Sequence, residues 1–136
     1  MKKLVSLFVM TLVSIFIALQ AWGEEKIITA VIDSDGVQRV EIVGGSYFFK
    51  PDRIIVKVNV PVELKLRKES GVVPHNFVIK APEAGINLDL PLGTEPKVVT
   101  FIPTKTGIYQ FSCSKKLLFF ESHREKGMKG ILEVVE

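Results

Sequence analysis

The sequence is short of the side chains that staple small folds or bind metals. Its 136 residues include one Cys, two His, three Met and one Trp. One Cys excludes an internal disulfide, a Cys-x-x-Cys redox pair and a four-thiolate zinc site. GxSxG, HExxH and P-loop patterns are absent. That removes the usual signatures of serine hydrolases, zinc proteases and nucleotide-binding proteins. Charge of one sign is also scarce, with a formal net of +3 from 18 basic and 15 acidic residues. At this length one domain is expected.

The small basic excess has a location. Lys2 and Lys3 open the chain, Leu4 to Leu19 carries no charge, and Ala21-Trp22-Gly23 puts small residues at its end. A basic start, an apolar middle and a small-x-small end describe a secretory signal peptide, with cleavage expected after Gly23. The apolar stretch is shorter than the ~20 residues a membrane span requires, and no later run is long enough. The expectation is a leader, 1–23, followed by one exported, periplasmic or similarly placed domain, 24–136. Losing Lys2 and Lys3 takes the net charge from +3 to +1. A nearly neutral domain lacks the concentrated basic surface that phosphate backbones need, so nucleic acid is not an expected partner.

Beyond the leader the chain reads as strands. Lys26–Ile32 and Val37–Val43 flank Asp33-Ser34-Asp35-Gly36, a turn-forming run. From Val56 to Arg67 apolar and polar residues alternate strictly, the period of a half-buried strand. Pro61 cannot donate to a ladder, so the run splits there into two strands. Further strands are expected at Phe77–Lys80, Lys97–Ile102, Gly107–Cys113 and Gly130–Val135. Ala81–Pro96, with three Pro and two Gly, reads as a long surface connection, and Ser114–Lys129 as irregular or partly helical. About eight short strands with frequent turns indicate an all-β, antiparallel sandwich or barrel.

With the leader removed, Cys113, Met128, His75 and His123 are the only thiol, thioether and imidazole side chains left. Two imidazoles, one thiolate and one thioether make up the donor set of a mononuclear blue-copper site. Taken singly, each has a commoner use: Cys113 and Met128 as core, His75 as a structural imidazole, His123 as solvated surface. Their placement argues otherwise. Tyr109, Phe111 and Cys113 share one aromatic strand face that carries Cys113 to the strand's end. His123 follows after nine residues, and Met128 after four more, between Gly127 and Gly130. His75 enters from a distant strand, directly after Pro74.

Pro74-His75-Asn76-Phe77 resembles the first-ligand motif of the cupredoxins, the plastocyanin- and azurin-like blue copper proteins. Gly107-Ile108-Tyr109-Gln110-Phe111-Ser112-Cys113 resembles the strand that carries their Cys. His123, Met128 and Gly130-Ile131-Leu132-Glu133-Val134 resemble their closing loop and last strand. Tyr47–Leu66 is similar to their early strands, so the likeness covers roughly residues 40–136. It implies a cupredoxin-like Greek-key β-sandwich holding one type 1 copper ion. The implied ligands are His75, Cys113, His123 and an axial Met128. Asn76 and Ser114 would tie the two ligand loops together, and His123 would be the electron port.

One feature departs from the family pattern. Two to four residues usually separate the Cys from the second His, but here nine do, Ser114–Ser122, including the apolar run Leu117-Leu118-Phe119-Phe120. That leaves Glu121 and Glu125 as alternatives to Met128 for the axial position. It also leaves Leu117–Phe120 as either a docking patch or a packed turn. The implied activity is single-electron transfer between redox partner proteins by a monomer, with no bond-making catalysis. A copper carrier on the same residues, or a metal-free docking module on the same fold, are the alternatives.

Overall fold

The computed structural model describes residues 26–116 and 118–136. The expected leader and Leu117 lie outside the described residues. Among the described residues, ten strands form two sheets: β1 Ile27–Thr29, β2 Gln38–Gly45, β3 Phe48–Lys50, β4 Arg53–Lys57, β5 Val62–Lys68, β6 His75–Ala81, β7 Ile86–Leu92, β8 Lys97–Phe101, β9 Gly107–Ser112 and β10 Lys129–Val135. One sheet has the order β1-β4-β10-β9-β6-β7 and the other β3-β2-β5-β8. The all-β sandwich is as expected, with ten strands rather than about eight.

The period-two reading of Val56–Arg67 holds at its two ends and not in its middle, where Val58–Val60 form a turn with Asn59 at φ 59°. Ile54 and Val56 of β4 and Val62, Leu64 and Leu66 of β5 are all buried. Pro61 falls in the break, where the chain passes from one sheet to the other. The two inner faces meet around Phe49, Phe77 and Phe111, whose rings lie 5.0–5.7 Å apart between centroids. Burying apolar area of this kind is the main term holding such a sandwich together. Gln38 is a buried polar exception, and it is satisfied. Its amide donates to the carbonyls of Lys57 and Val60 and accepts from the Lys57 N–H, joining β2 to the end of β4 across the sheets.

Three expectations need correction. First, Ala81–Pro96 is not mainly irregular: a 3-10 turn at Pro82–Ala84 leads into β7. Ile86, Leu88, Leu90 and Leu92 do alternate, and the nearby prolines and glycines obscured the pattern. Pro91 is tolerated because β7 is an edge strand, paired only with β6. Second, Asp33–Gly36 does not close a hairpin ladder. β1 pairs in parallel with β4 while β2 opens the other sheet, and only the Ile32–Gln38 bridge links the two sides of the turn. Arg39 holds the turn by reaching Asp33 and Asp35 at 2.6–3.0 Å. Third, the pairing is mixed rather than wholly antiparallel, with β1–β4, β4–β10 and β2–β5 parallel.

The strand order places the site. β6 and β9 are antiparallel neighbours, and so are β9 and β10. The start of β6, the end of β9 and the start of β10 therefore share one end of the sandwich. His75, Cys113 and Met128 occupy those positions.

Candidate metal centre

Each potential ligand is fixed by backbone bonds. His75 is the first residue of β6. Cys113 continues the β9–β10 ladder one step, its N–H donating to the Met128 carbonyl at 3.0 Å. His123 sits in a turn opened by Ser122-His123-Arg124-Glu125. The Ser122 hydroxyl accepts from the Glu125 N–H, and the Glu125 carboxylate accepts from the Ser122 N–H and hydroxyl at 2.7 and 2.8 Å. This is a capping box, a signal visible in the sequence as Ser122-x-x-Glu125. The Met128 N–H donates to the His123 carbonyl at 2.9 Å, and Gly127 supplies the positive φ, 102°, that brings the chain round. Gly130 does not add freedom to the loop. A Cβ there would stand 2.3 Å from Phe111 and 2.4 Å from the Asp52 carbonyl, so this glycine permits a close approach of strands.

The long excursion from Cys113 to His123 is pinned at its base. The His123 N–H donates to the Lys115 carbonyl at 2.8 Å, and Lys116 bridges Ser122. The excursion thus leaves from a closed neck, and its length does not displace His123 from Cys113.

His75, Cys113 and His123 are all buried, and their donor atoms lie within 4.8 Å of one another. His75 Nδ1 is 3.1 Å from His123 Nδ1, and Cys113 Sγ is 3.9 and 3.5 Å from the two nitrogens. The point equidistant from atoms separated by 3.1, 3.5 and 3.9 Å lies about 2.0 Å from each. Bonds from a first-row metal to imidazole nitrogen are about 2.0–2.1 Å and to thiolate about 2.3 Å. The pocket of donors is therefore the size of one such ion. Two nitrogens and one soft sulfur suit copper by chemistry as well. Met128 is fully buried at the same end. A Cβ on Gly44 would stand 3.1 Å from its terminal methyl, so Gly44 leaves room for the thioether. Together His75, Cys113, His123 and Met128 form a candidate copper site.

The surroundings are ordered. The Asn76 N–H donates to Cys113 Sγ at 3.4 Å. The Asn76 side chain accepts from the Ser114 N–H and donates to its hydroxyl, both at 2.8 Å, and donates to Asp89 of β7 at 3.2 Å. Asp89 was not foreseen, because the segment that carries it was read as a loop. Tyr47 was not singled out either. Its ring meets His123 edge-on at 5.1 Å, and Lys126 lies 4.5 Å over its face. Burial lowers the pKa of both imidazoles, with His123 and Lys68 adding to the effect at His75 and Lys126 at His123. Neutral rings with free lone pairs are the form a metal ligand needs. Glu121 and Glu125 are exposed, and Glu125 is committed to Ser122. Among the described residues no carboxylate joins the donor cluster.

A sequence profile of the cupredoxin-like domain matches residues 8–128. The chain belongs to the cupredoxin-like family. No curated protein matches it. Solved structures with the same fold include the metal-binding domain of the Cu(I)-exporting P-type ATPase CopA of Streptococcus pneumoniae. It is 23% identical, with 84% of this chain and 100% of that one covered at a TM-score of 0.63. Auracyanin A, a "blue" copper protein of Chloroflexus aurantiacus, is 21% identical over 74% of this chain and 100% of its own, TM-score 0.52. The periplasmic domain of cytochrome oxidase subunit II from Bradyrhizobium japonicum is 14% identical over 72% and 83%, TM-score 0.54. Identities this low establish the shared fold.

Proposed function

We propose that this cupredoxin-like domain holds one type 1 copper ion and carries single electrons between redox proteins. The observation that carries the reading is the buried triangle of two imidazole nitrogens and one sulfur, sized for a single first-row ion. His75, Cys113 and His123 would hold the ion, with the thioether of Met128 as a fourth, softer donor. Copper, when bound, supplies a one-electron couple. The chain's part is to stay still. Ladder bonds fix Cys113 and Met128, the capping box fixes His123, and Asn76 locks the two ligand loops together. A cage that does not rearrange keeps the cost of each transfer small. The Asn76 N–H on Cys113 Sγ and the buried setting of the donors would tune the potential.

His75 and His123 are only 6% and 4% exposed, so neither ring is open to solvent. His123 nevertheless floors a groove of about 440 Å³ with Tyr47, Pro74 and Phe120 in its walls, which supports it as the electron port. We place the domain outside the cytoplasm after removal of residues 1–23, acting as a monomer. Among the described residues no helix is long and apolar enough to cross a membrane.

The test is a visible spectrum with metal analysis of the chain from residue 24 after titration with copper(II). One equivalent bound with an intense band in the red, lost in Cys113→Ser, is the expected result. The similarity to the CopA metal-binding domain favours one second reading, a copper(I) carrier on the same donors. It predicts one equivalent of colourless copper(I) and no reversible couple. No copper uptake at all would sink both readings.

A further inference from the structure

The four donors come from β6, β9 and the loop between β9 and β10, all on one sheet, yet one wall of the site is supplied by the other sheet. Gly45 of β2 pairs with Phe48 of β3, so Ser46-Tyr47 is a two-residue connection. Tyr47 stands there at φ 64°, a turn position that ordinarily takes Gly or Asn. A bulky side chain in the left-handed region is an outlier, kept where its surroundings hold it. The surroundings are those of the second imidazole. The Tyr47 and His123 rings meet at 69° with centroids 5.1 Å apart. Lys126 Nζ lies 4.5 Å over the Tyr47 ring and 3.5 Å from its hydroxyl oxygen. The Tyr47 carbonyl faces Gly127, 3.8 Å from where a Cβ there would stand.

His123 needs such a neighbour. Its backbone bonds fix where the side chain starts and leave open which way the ring turns. A ligand imidazole is ordinarily steered by a carboxylate or carbonyl that accepts from its second nitrogen. The close polar contacts of the His123 ring both run through Nδ1, to His75 and Cys113. Among the described residues no acceptor meets its Nε2. Besides its fellow donor His75, the ring packed on His123 is Tyr47. Edge-to-face packing has a preferred geometry, so it resists rotation of either ring. It also accounts for burial: Arg124 to Gly127 are exposed, but His123 is not.

We propose that Tyr47 is a positioning residue, whose ring turns His123 so that Nδ1 faces Cys113 and His75 and closes the donor triangle against water from the groove. Its purpose rests on the copper reading, but the ring contact stands without the ion and can be tested with no metal. Water stabilises copper(II) more than copper(I), so a dry cover also raises the potential.

Two substitutions separate this role from one in the turn alone. Tyr47→Asn suits the positive φ better but removes the ring. Tyr47→Phe keeps the ring and loses only the hydroxyl. The experiment uses the chain from residue 24, which contains all ten strands, and each variant is kept well below its melting temperature. In the metal-free protein, labelling of Cys113 by Ellman's reagent should speed up about tenfold in Tyr47→Asn and stay at the wild-type rate in Tyr47→Phe. Nuclear Overhauser contacts between the Tyr47 and His123 rings of the wild type check the packing with no variant at all. After copper loading, Tyr47→Asn should shift the visible band and lower the reduction potential, while Tyr47→Phe restores both.

Absent ring contacts, unchanged labelling in Tyr47→Asn, or Tyr47→Phe behaving like Tyr47→Asn overturns the proposal. Faster labelling with an unmoved band and potential also overturns it, because Tyr47 would then cover the site without positioning the ring. Wild type that takes up no copper sinks the copper reading alone. The metal-free labelling and ring contacts still decide whether Tyr47 holds His123.

Discussion

Asn76 shows how one side chain joins two parts of the site. Its backbone N–H points at the Cys113 sulfur while its amide spans the Ser114 backbone and hydroxyl and the Asp89 carboxylate. Because Nδ2 donates to two oxygens and Oδ1 accepts from one N–H, the amide has a single satisfying orientation. Asn76→Ala should cost about 1–3 kcal/mol, since it leaves the partly buried Ser114 N–H unpaired. It should also shift the visible band of the copper form, because the Cys113 loop loses its tie to β6. Urea unfolding of the metal-free protein and the spectrum of the loaded one read the two effects separately. Asp89→Asn should keep the band nearly in place, since an amide oxygen can still accept from Asn76, whereas Asp89→Ala should move it. Equal spectra for both variants would mean that Asp89 does not orient the amide. The candidate ligands were legible in the sequence because they are rare: with one Cys and two His in the chain, few constellations are possible. Asp89 and Tyr47 were not legible. An Asp on an edge strand and a Tyr after two glycines gain their roles only from what the fold sets beside them.

At the level of elements, β10 is the strand on which the closing loop depends, lying between β4 and β9. Gly130 lets it pass the Phe111 ring and the Asp52 carbonyl, which accepts from the Ile131 N–H at 2.7 Å. Gly130→Ala would press a methyl against backbone as well as a core ring. A loss of about 1–3 kcal/mol in urea unfolding is expected, with weaker copper retention because Met128 precedes the strand. The neck of the long loop makes the opposite prediction. Since the Lys115 carbonyl meets the His123 N–H and Lys116 bridges Ser122, replacing residues 117–121 with a short Gly-containing link should leave the copper band intact. Loss of colour would show that the excursion, and not its neck, supports His123. Strand periodicity was readable in Val62–Arg67, but the same alternation runs on through Val58–Val60, where the chain turns between the sheets. It was missed in β7, where Pro91 and neighbouring glycines masked an equally regular alternation. Parallel pairing was not readable at all, because period two reports which face is buried and is silent on which strand lies alongside. The length of the Cys-to-His loop looked like a distortion of the site in sequence. Its closure depends on backbone contacts between Lys115-Lys116 and Ser122-His123, which no local pattern encodes.

For the molecule as a whole, the buried imidazole pair makes stability depend on pH in a window of its own. Both His75 and His123 have folded pKa values below the ordinary 6.5, burial being the first cause. Between the folded values and 6.5 the unfolded chain binds more protons than the folded one, so stability rises with pH across that range. Above about 6.5 both rings are neutral in either state and the contribution is complete. As pH falls through the folded values it is lost. The carboxylates act lower down. Asp35, Glu41 and Glu125 are held below their ordinary values of 3.8 and 4.5, by Arg39, by Arg67 and by Ser122 respectively. Their contribution, present at neutral pH, fades only as pH falls below about 4. Urea midpoints of the metal-free protein should therefore drop in two stages, one beginning as pH falls below about 6.5 and a second below about 4. His75→Gln should flatten the first stage and leave the second in place. Copper competes with protons for the same two nitrogens, so the loaded protein should stay stable further into the first window and then release the metal as both rings charge. A single smooth decline that His75→Gln does not alter would mean that the imidazoles are solvated in the metal-free protein, and that the compact donor triangle forms only around the ion.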